Sequence, residues 1–170
     1  MKKLVVMGLM GLFTVAGILL MAAVYHHPGT GVSIWFPDQW RVTRVGRALY
    51  AEAPDGRAMV QYIGLGVRDM RSARIDYRKF LEPQIRRVRE IRQGRRFQLN
   101  NMTCAAIHAE GMIRRTPWDL KIYLIQAPGN IGMLVQRHMR GSMDRKIPFT
   151  NILESIKPYG PVKDHRRHRR

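Results

Sequence analysis

In ARIDYRKFLEPQIRRVREIRQG, residues 73–94, the apolar residues Tyr77, Phe80, Leu81, Ile85, Val88 and Ile91 recur at helical spacing, the pattern of a helix with one face on a core. Gly94 supplies a stop. Pro83 lies inside the pattern; it lacks a backbone donor and crowds the preceding turn, so a kink or short break is expected there. The opposite face would carry Arg74, Arg78, Arg86, Arg89 and Arg92. A long helix in the middle of the chain follows from this spacing.

The segments before it alternate. GVSIWFPDQW (31–40) predicts a short edge strand ended by Pro37, with Ser33 and Trp35 on one face and Ile34 and Phe36 on the other. WRVTRV and RALYAEA predict further strands. In APDGR (53–57), Pro54 presets φ, Asp55 can bond the local backbone and Gly56 takes positive φ, so RAMVQYIGLGV returns as the second arm of a hairpin. The G-x-G in that arm is better explained by a bulge or close packing than by a phosphate loop. After the helix, FQLNNMTCAAIHAEGMI, WDLKIYLIQ and IGMLVQRHM predict three strands. APGN between the last two suits a type II turn with Gly129 at the position of positive φ. In PFTNILESIKPYG, Pro148 fits a first helical turn, Phe149, Ile152, Leu153 and Ile156 form an i, i+3, i+4, i+7 stripe, and Pro158 ends it. The expected fold class is α+β, an antiparallel sheet flanked by helices.

Taken together, GVSIWFPDQW, the APDGRA hairpin, the helix, FQLNNMTCAAIHAEG and the closing ILESIKP resemble the PsbP-like family over about residues 31–158. The resemblance implies an α/β/α sandwich and a binding or assembly role, not catalysis. The chain has no lipobox cysteine near its N-terminus, and none of its residues matches a metal ligand of the photosynthetic members. Photosystem binding and Ran binding are therefore not carried over.

Behind MKK, the run LVVMGLMGLFTVAGILLMAAVY carries no charge from Leu4 to Tyr25. At about 1.5 Å per residue it reaches roughly 30 Å, enough to cross a bilayer. Cleavage after Ala23 would leave Met21 where a small residue is wanted, and cleavage after Ala16 would expose GILLMAAV. A retained single-span anchor is expected, with a cleaved, secreted form as the runner-up. Lys2 and Lys3 on one flank, and no Lys or Arg on the other until Arg41, put the N-terminus in the cytoplasm and the domain outside, in the periplasm of a bacterial-type cell. The division is then 1–28 anchor, 29–160 globular domain and 161–170 disordered basic tail. His26 and His27, beside Tyr25, are read as membrane-edge residues.

The chain carries 30 Lys+Arg against 12 Asp+Glu, a formal charge of +18, of which the first 28 residues supply only Lys2 and Lys3. Such a field favours polyanions. Candidate contact residues are Arg86, Arg87, Arg89 and Arg92 on the helix and Lys163, Arg166, Arg167, Arg169 and Arg170 in the tail. Their expected partner is an anionic membrane surface or an acidic protein. Nucleic acid is argued against by export and by the lack of an aromatic platform, and would return only for a cytoplasm-facing protein.

Catalysis finds little support. Cys104 and His108 share a strand face but stand roughly 13 Å apart at that spacing. An enzyme would need Cys104, His108 or His138 to converge in a pocket. The carboxylates Asp38, Glu52, Asp76, Glu82, Glu110, Asp119, Asp144 and Glu154 are scattered along the sequence. His26, His27, His165 and His168 lack a standard metal-site spacing. No cofactor, metal or small-molecule substrate is expected.

Overall fold

The computed structural model describes residues 23–81, 83, 85–142 and 147–159. The apolar run as far as residue 22, and with it most of the expected transmembrane helix, lies outside the described residues, as does the whole basic tail from Lys163. The last part of the expected anchor, Ala23–His27, is described and is a β-strand, not helix. Among the described residues no helix is long and apolar enough to cross a membrane.

The chain forms β1 (Ala23–His27), β2 (Val32–Phe36), β3 (Arg41–Val45), β4 (Ala48–Glu52), β5 (Ala58–Gly64), α1 (Met70–Asp76), a 3₁₀ turn over Tyr77–Phe80, β6 (Arg86–Leu99), β7 (Met102–Ile113), β8 (Thr116–Gln126), β9 (Ile131–Met139), α2 (Phe149–Glu154) and β10 (Lys157–Pro158). A seven-stranded sheet runs in the order β3-β4-β5-β9-β8-β7-β6, and β1-β2-β10 form a second, three-stranded sheet. Neighbouring strands are antiparallel in both.

The architecture corrects the α/β/α expectation. The helix read over 73–93 is two short pieces followed by an edge strand. Asp69 caps α1 by accepting from the Ser72 amide at 2.8 Å; the chain tightens into the 3₁₀ turn and turns extended at Leu81 (ψ 146°) just ahead of Pro83. From Arg86 it pairs with β7 for the length of β6. The pairing of β6 is irregular. Register shifts between Arg86 and Arg89, between Glu90 and Arg92, and between Gln93 and Arg96 each place one more residue on β6 than on β7. Each such bulge stretches a two-residue repeat to three and breaks the strand's alternation. Of the apolar residues read as a helix face only Val88 and Ile91 fall in β6, and Ile91 is exposed.

Two cores flank the large sheet. On one face β2 presses Val32, Ile34 and Phe36, with Ile152 of α2, against Val60, Tyr62, Cys104, Ile125 and Leu134. On the other, Met70, Ala73 and Tyr77 cover Ile107, Leu120, Ile122, Leu124 and Met133. Each large apolar side chain so buried contributes about 1.5–3 kcal/mol. One outer layer is thus mainly strand and the other a short helix. β2, expected at an edge, is the centre of its sheet.

The β1–β2 turn is tied to the large sheet by a buried polar chain. The Tyr62 hydroxyl donates to Thr30 Oγ1 (3.1 Å), Thr30 Oγ1 lies 3.0 Å from His27 Nδ1, and His27 Nε2 lies 2.7 Å from the Arg47 carbonyl. That carbonyl can only accept, which sets the proton on Nε2 and leaves Nδ1 to accept from Thr30. His27, read as a membrane-edge residue, is 5% exposed.

The APDGR turn forms as expected, with Gly56 at φ 68° and Asp55 Oδ1 accepting from the Arg57 amide at 2.9 Å. Gly129 does not take positive φ. It is needed instead because a Cβ there would stand 2.8 Å from the Gly29 carbonyl oxygen.

Candidate functional site

β6 carries six arginines and one glutamate in fourteen residues and has a sheet neighbour on one side only. Arg86, Arg87, Arg89 and Arg92, assigned from sequence to a helix face, are exposed on this edge strand, as are Arg95 and Arg96. The sheet brings the first four into one basic margin. Lys163, Arg166, Arg167, Arg169 and Arg170 lie outside the described residues.

Inward from the margin, register lines up charge across four strands. Arg89 pairs with Glu110, Glu110 with Asp119 and Asp119 with His138. Arg89 Nε donates to Glu110 Oε1 at 2.6 Å, and Arg140 donates to both Glu110 and Asp119, the latter at 2.9 Å. Asp119 Oδ2 stands 3.5 Å from His138 Nε2. The hydrogen bonds from Arg140 and Arg89 hold the Glu110 carboxyl below its ordinary range. Glu110 and Asp119, scattered in the sequence, are cross-strand neighbours. Two carboxylates occupied by guanidinium groups are poor proton donors and poor bases.

A second row places Arg92, His108, Lys121 and Gln136 side by side. Partial burial, then Lys121 and Arg92, push the His108 pKa down. His138 is lowered by burial against an opposing pull from Asp119. Cys104 does not meet either histidine across the ladder. Its cross-strand neighbours are Phe97 and Ile125, it is 0% exposed, and burial pushes its thiol up to about 12. His26 stacks at 4.5 Å on Tyr159. Among the described residues no group of three or more His, Cys, Asp or Glu could hold a metal ion.

Sequence reasoning missed Arg114 and Arg115. They form the two-residue link between β7 and β8, and the turn carries them to the same end of the sheet as Arg86 and Arg87. The available signal was IRRTPW, a two-residue gap between apolar strand ends.

No protein-family model and no curated protein matches the sequence. Among solved structures, a protein from Bacteroides thetaiotaomicron VPI-5482 is similar with a TM-score of 0.56 at 12% identity, over 82% of this chain and 49% of that one. The likeness is one of fold, and the chain spans about half the length of that protein. PA94 of Pseudomonas aeruginosa, a protein of unknown function, gives 0.49 at 9% identity over 82% and 99%. LpqN of Mycobacterium tuberculosis, involved in cell envelope biogenesis, gives 0.42 at 14% identity over 80% and 90%.

Proposed function

We propose that this chain is a non-enzymatic interaction protein of the cell envelope, held by its apolar N-terminal run with the domain on the outer side of the cytoplasmic membrane, and that the β6 margin and the basic tail rest on an anionic lipid surface. The observation that carries this reading is the concentration of arginine on one exposed edge strand. Each cation near an anionic bilayer adds about 1 kcal/mol, falling off within a Debye length. Five on one strand, with Arg89 already paired to Glu110, therefore constitute a strong but salt-sensitive attachment. An anchor that ends next to β1 supports the same reading, since it would keep the domain close to that surface. Membership of the PsbP-like family belongs to the proposal too, on the GVSIWFPDQW strand, the APDGRA hairpin and the closing ILESIKP. The helical layers implied by that resemblance are not part of it.

The test is amide hydrogen exchange on the full-length protein in nanodiscs of neutral or anionic lipid. Protection of β6 amides is expected in anionic discs at low salt and is expected to vanish at high salt. Equal exchange in both lipids would overturn lipid contact and turn the search to an acidic protein. Protease cleavage of a C-terminal tag in intact spheroplasts, and not in inverted vesicles, is the expected result for orientation; the reverse would overturn export.

A further inference from the structure

At the turn end of the β6 margin, Arg86, Arg87, Arg114 and Arg115 surround a hollow of about 450 Å³ with Met112 as its apolar wall. Two separate backbone features build it. Arg86 and Arg87 stand at the first bulge of β6, and Arg114 and Arg115 are the whole of the β7–β8 turn.

The backbone here is held in unusual conformations. Among the described residues, five that are not glycine take positive φ: Arg87 (52°), Asn100 (47°), Asn101 (66°), Arg114 (48°) and Arg115 (69°). A two-residue hairpin link with both φ positive favours asparagine and glycine. The β6–β7 turn meets that demand with Asn100 and Asn101. The β7–β8 turn has positive φ at both positions too and two arginines instead, and the remaining case, Arg87, faces the same hollow. Left-handed backbone at a side chain without local hydrogen-bonding reach costs free energy. The three residues that bear this cost are all arginines of one site.

Among the described residues the charge is also uncompensated. Arg89 and Arg140 nearby are matched by Glu110 and Asp119. Among the described residues none of the four arginines around the hollow is in an ion pair. Four guanidinium groups around one space repel one another until an anion enters it. Each offers five donors in a planar fork that matches phosphate and carboxylate oxygens. A monocarboxylate has too few oxygens to engage four such groups, whereas a phosphate or diphosphate can bridge them. The hollow is larger than a bare phosphate needs, and Met112 offers an apolar surface to whatever the phosphate is attached to.

We infer that the hollow bounded by Arg86, Arg87, Arg114 and Arg115 binds a multiply charged phosphate group, carried by a soluble phosphorylated molecule or by a lipid headgroup. This rests on the reading of β6 as an anion-facing margin and narrows it to one pocket.

The test titrates the full-length protein, in nanodiscs of neutral lipid, with pyrophosphate and with acetate at fixed ionic strength by calorimetry. Saturable single-site binding of pyrophosphate is expected, with acetate at least about tenfold weaker. The variant Arg87→Gly/Arg114→Asn/Arg115→Gly replaces each strained residue by one suited to its φ. It should keep or raise Tm while pyrophosphate binding falls at least about tenfold. Should that variant fail to fold, Arg86→Gln, which touches no positive-φ position, gives the same comparison. Discs carrying phosphatidic acid or phosphatidylglycerol at equal surface charge separate the sources. A preference for phosphatidic acid that the variant loses supports a headgroup, and pyrophosphate binding without that preference supports a soluble ligand. Equal pyrophosphate binding by parent and variant, or uptake that never saturates, would overturn the inference. Arg89, Arg92, Arg95 and Arg96 remain in the variant, so salt-sensitive protection of β6 on anionic discs tests the broader reading separately.

Discussion

Gly132 shows how little room one position can leave. A Cβ built there would stand 2.0 Å from the Tyr62 hydroxyl oxygen, in a side chain that is fully buried and bonded to Thr30. Tyr62 cannot swing aside without breaking the link from the large sheet to the β1–β2 turn. Gly132→Ala is expected to lose about 1–3 kcal/mol or more through overpacking, read as a fall in urea midpoint. Tyr62→Phe keeps the ring and removes the donor to Thr30, and should cost about 0.5–1.5 kcal/mol in the same assay. His108 supplies a pH effect. Its pKa is lowered in the folded protein from an ordinary 6.5, so the unfolded chain binds the proton more readily and acid favours unfolding. Stability should therefore be full above about pH 6.5 and decline as pH falls through the lowered value. His108→Gln should flatten that part of the profile, leaving the His138 share, lowered in the same direction. Loss of the ionised Glu110, whose pKa is also depressed, follows at lower pH.

At the scale of elements, β6 is the instructive case. Its sequence has helical spacing and many good helix formers, yet its backbone bonds go to β7. Pairing with a twelve-residue neighbour outweighs a propensity difference of a few tenths of a kcal/mol per residue. Pro83→Ala should accordingly leave the far-UV circular dichroism unchanged, since the ladder and not the proline holds this segment extended; a clear gain of helical signal would show the opposite. The elements legible in the sequence were those with unbroken alternation: β3, β4 and β5 with their Asp55–Gly56 turn, then β8 and β9, and the stripe of α2. The Asn100–Asn101 link was also written in the sequence, but FQLNNMTCAAIHAEGMI reads as one strand if the preceding residues are taken as helix. Bulges are invisible in one chain because they are defined by the partner's count. Arg86, Arg87, Arg89 and Arg92 were recognisable as candidates by charge alone. The Glu110–Asp119 pairing, and the convergence of Arg114 and Arg115 with Arg86 and Arg87, required register, which no single strand encodes.

At the scale of the whole molecule, the large sheet has two outer strands of different character: β3, five residues long with Arg41 and Arg44, and β6, fourteen residues long with six arginines. An open edge of that length offers unpaired amides and carbonyls to any passing strand. In β6 three bulges interrupt the straight run of donors and acceptors, and guanidinium groups repel a second copy of the same edge. The full-length protein in neutral discs should therefore remain monomeric at low salt by light scattering, and replacing Arg92, Arg95 and Arg96 with threonine should promote association. The irregular backbone of β6 thus also acts as insulation. Under the proposed anchoring the protein would be confined to a two-dimensional layer, where local concentrations would drive flat sheet edges to polymerise; this rim would let neighbours crowd shoulder to shoulder without fusing.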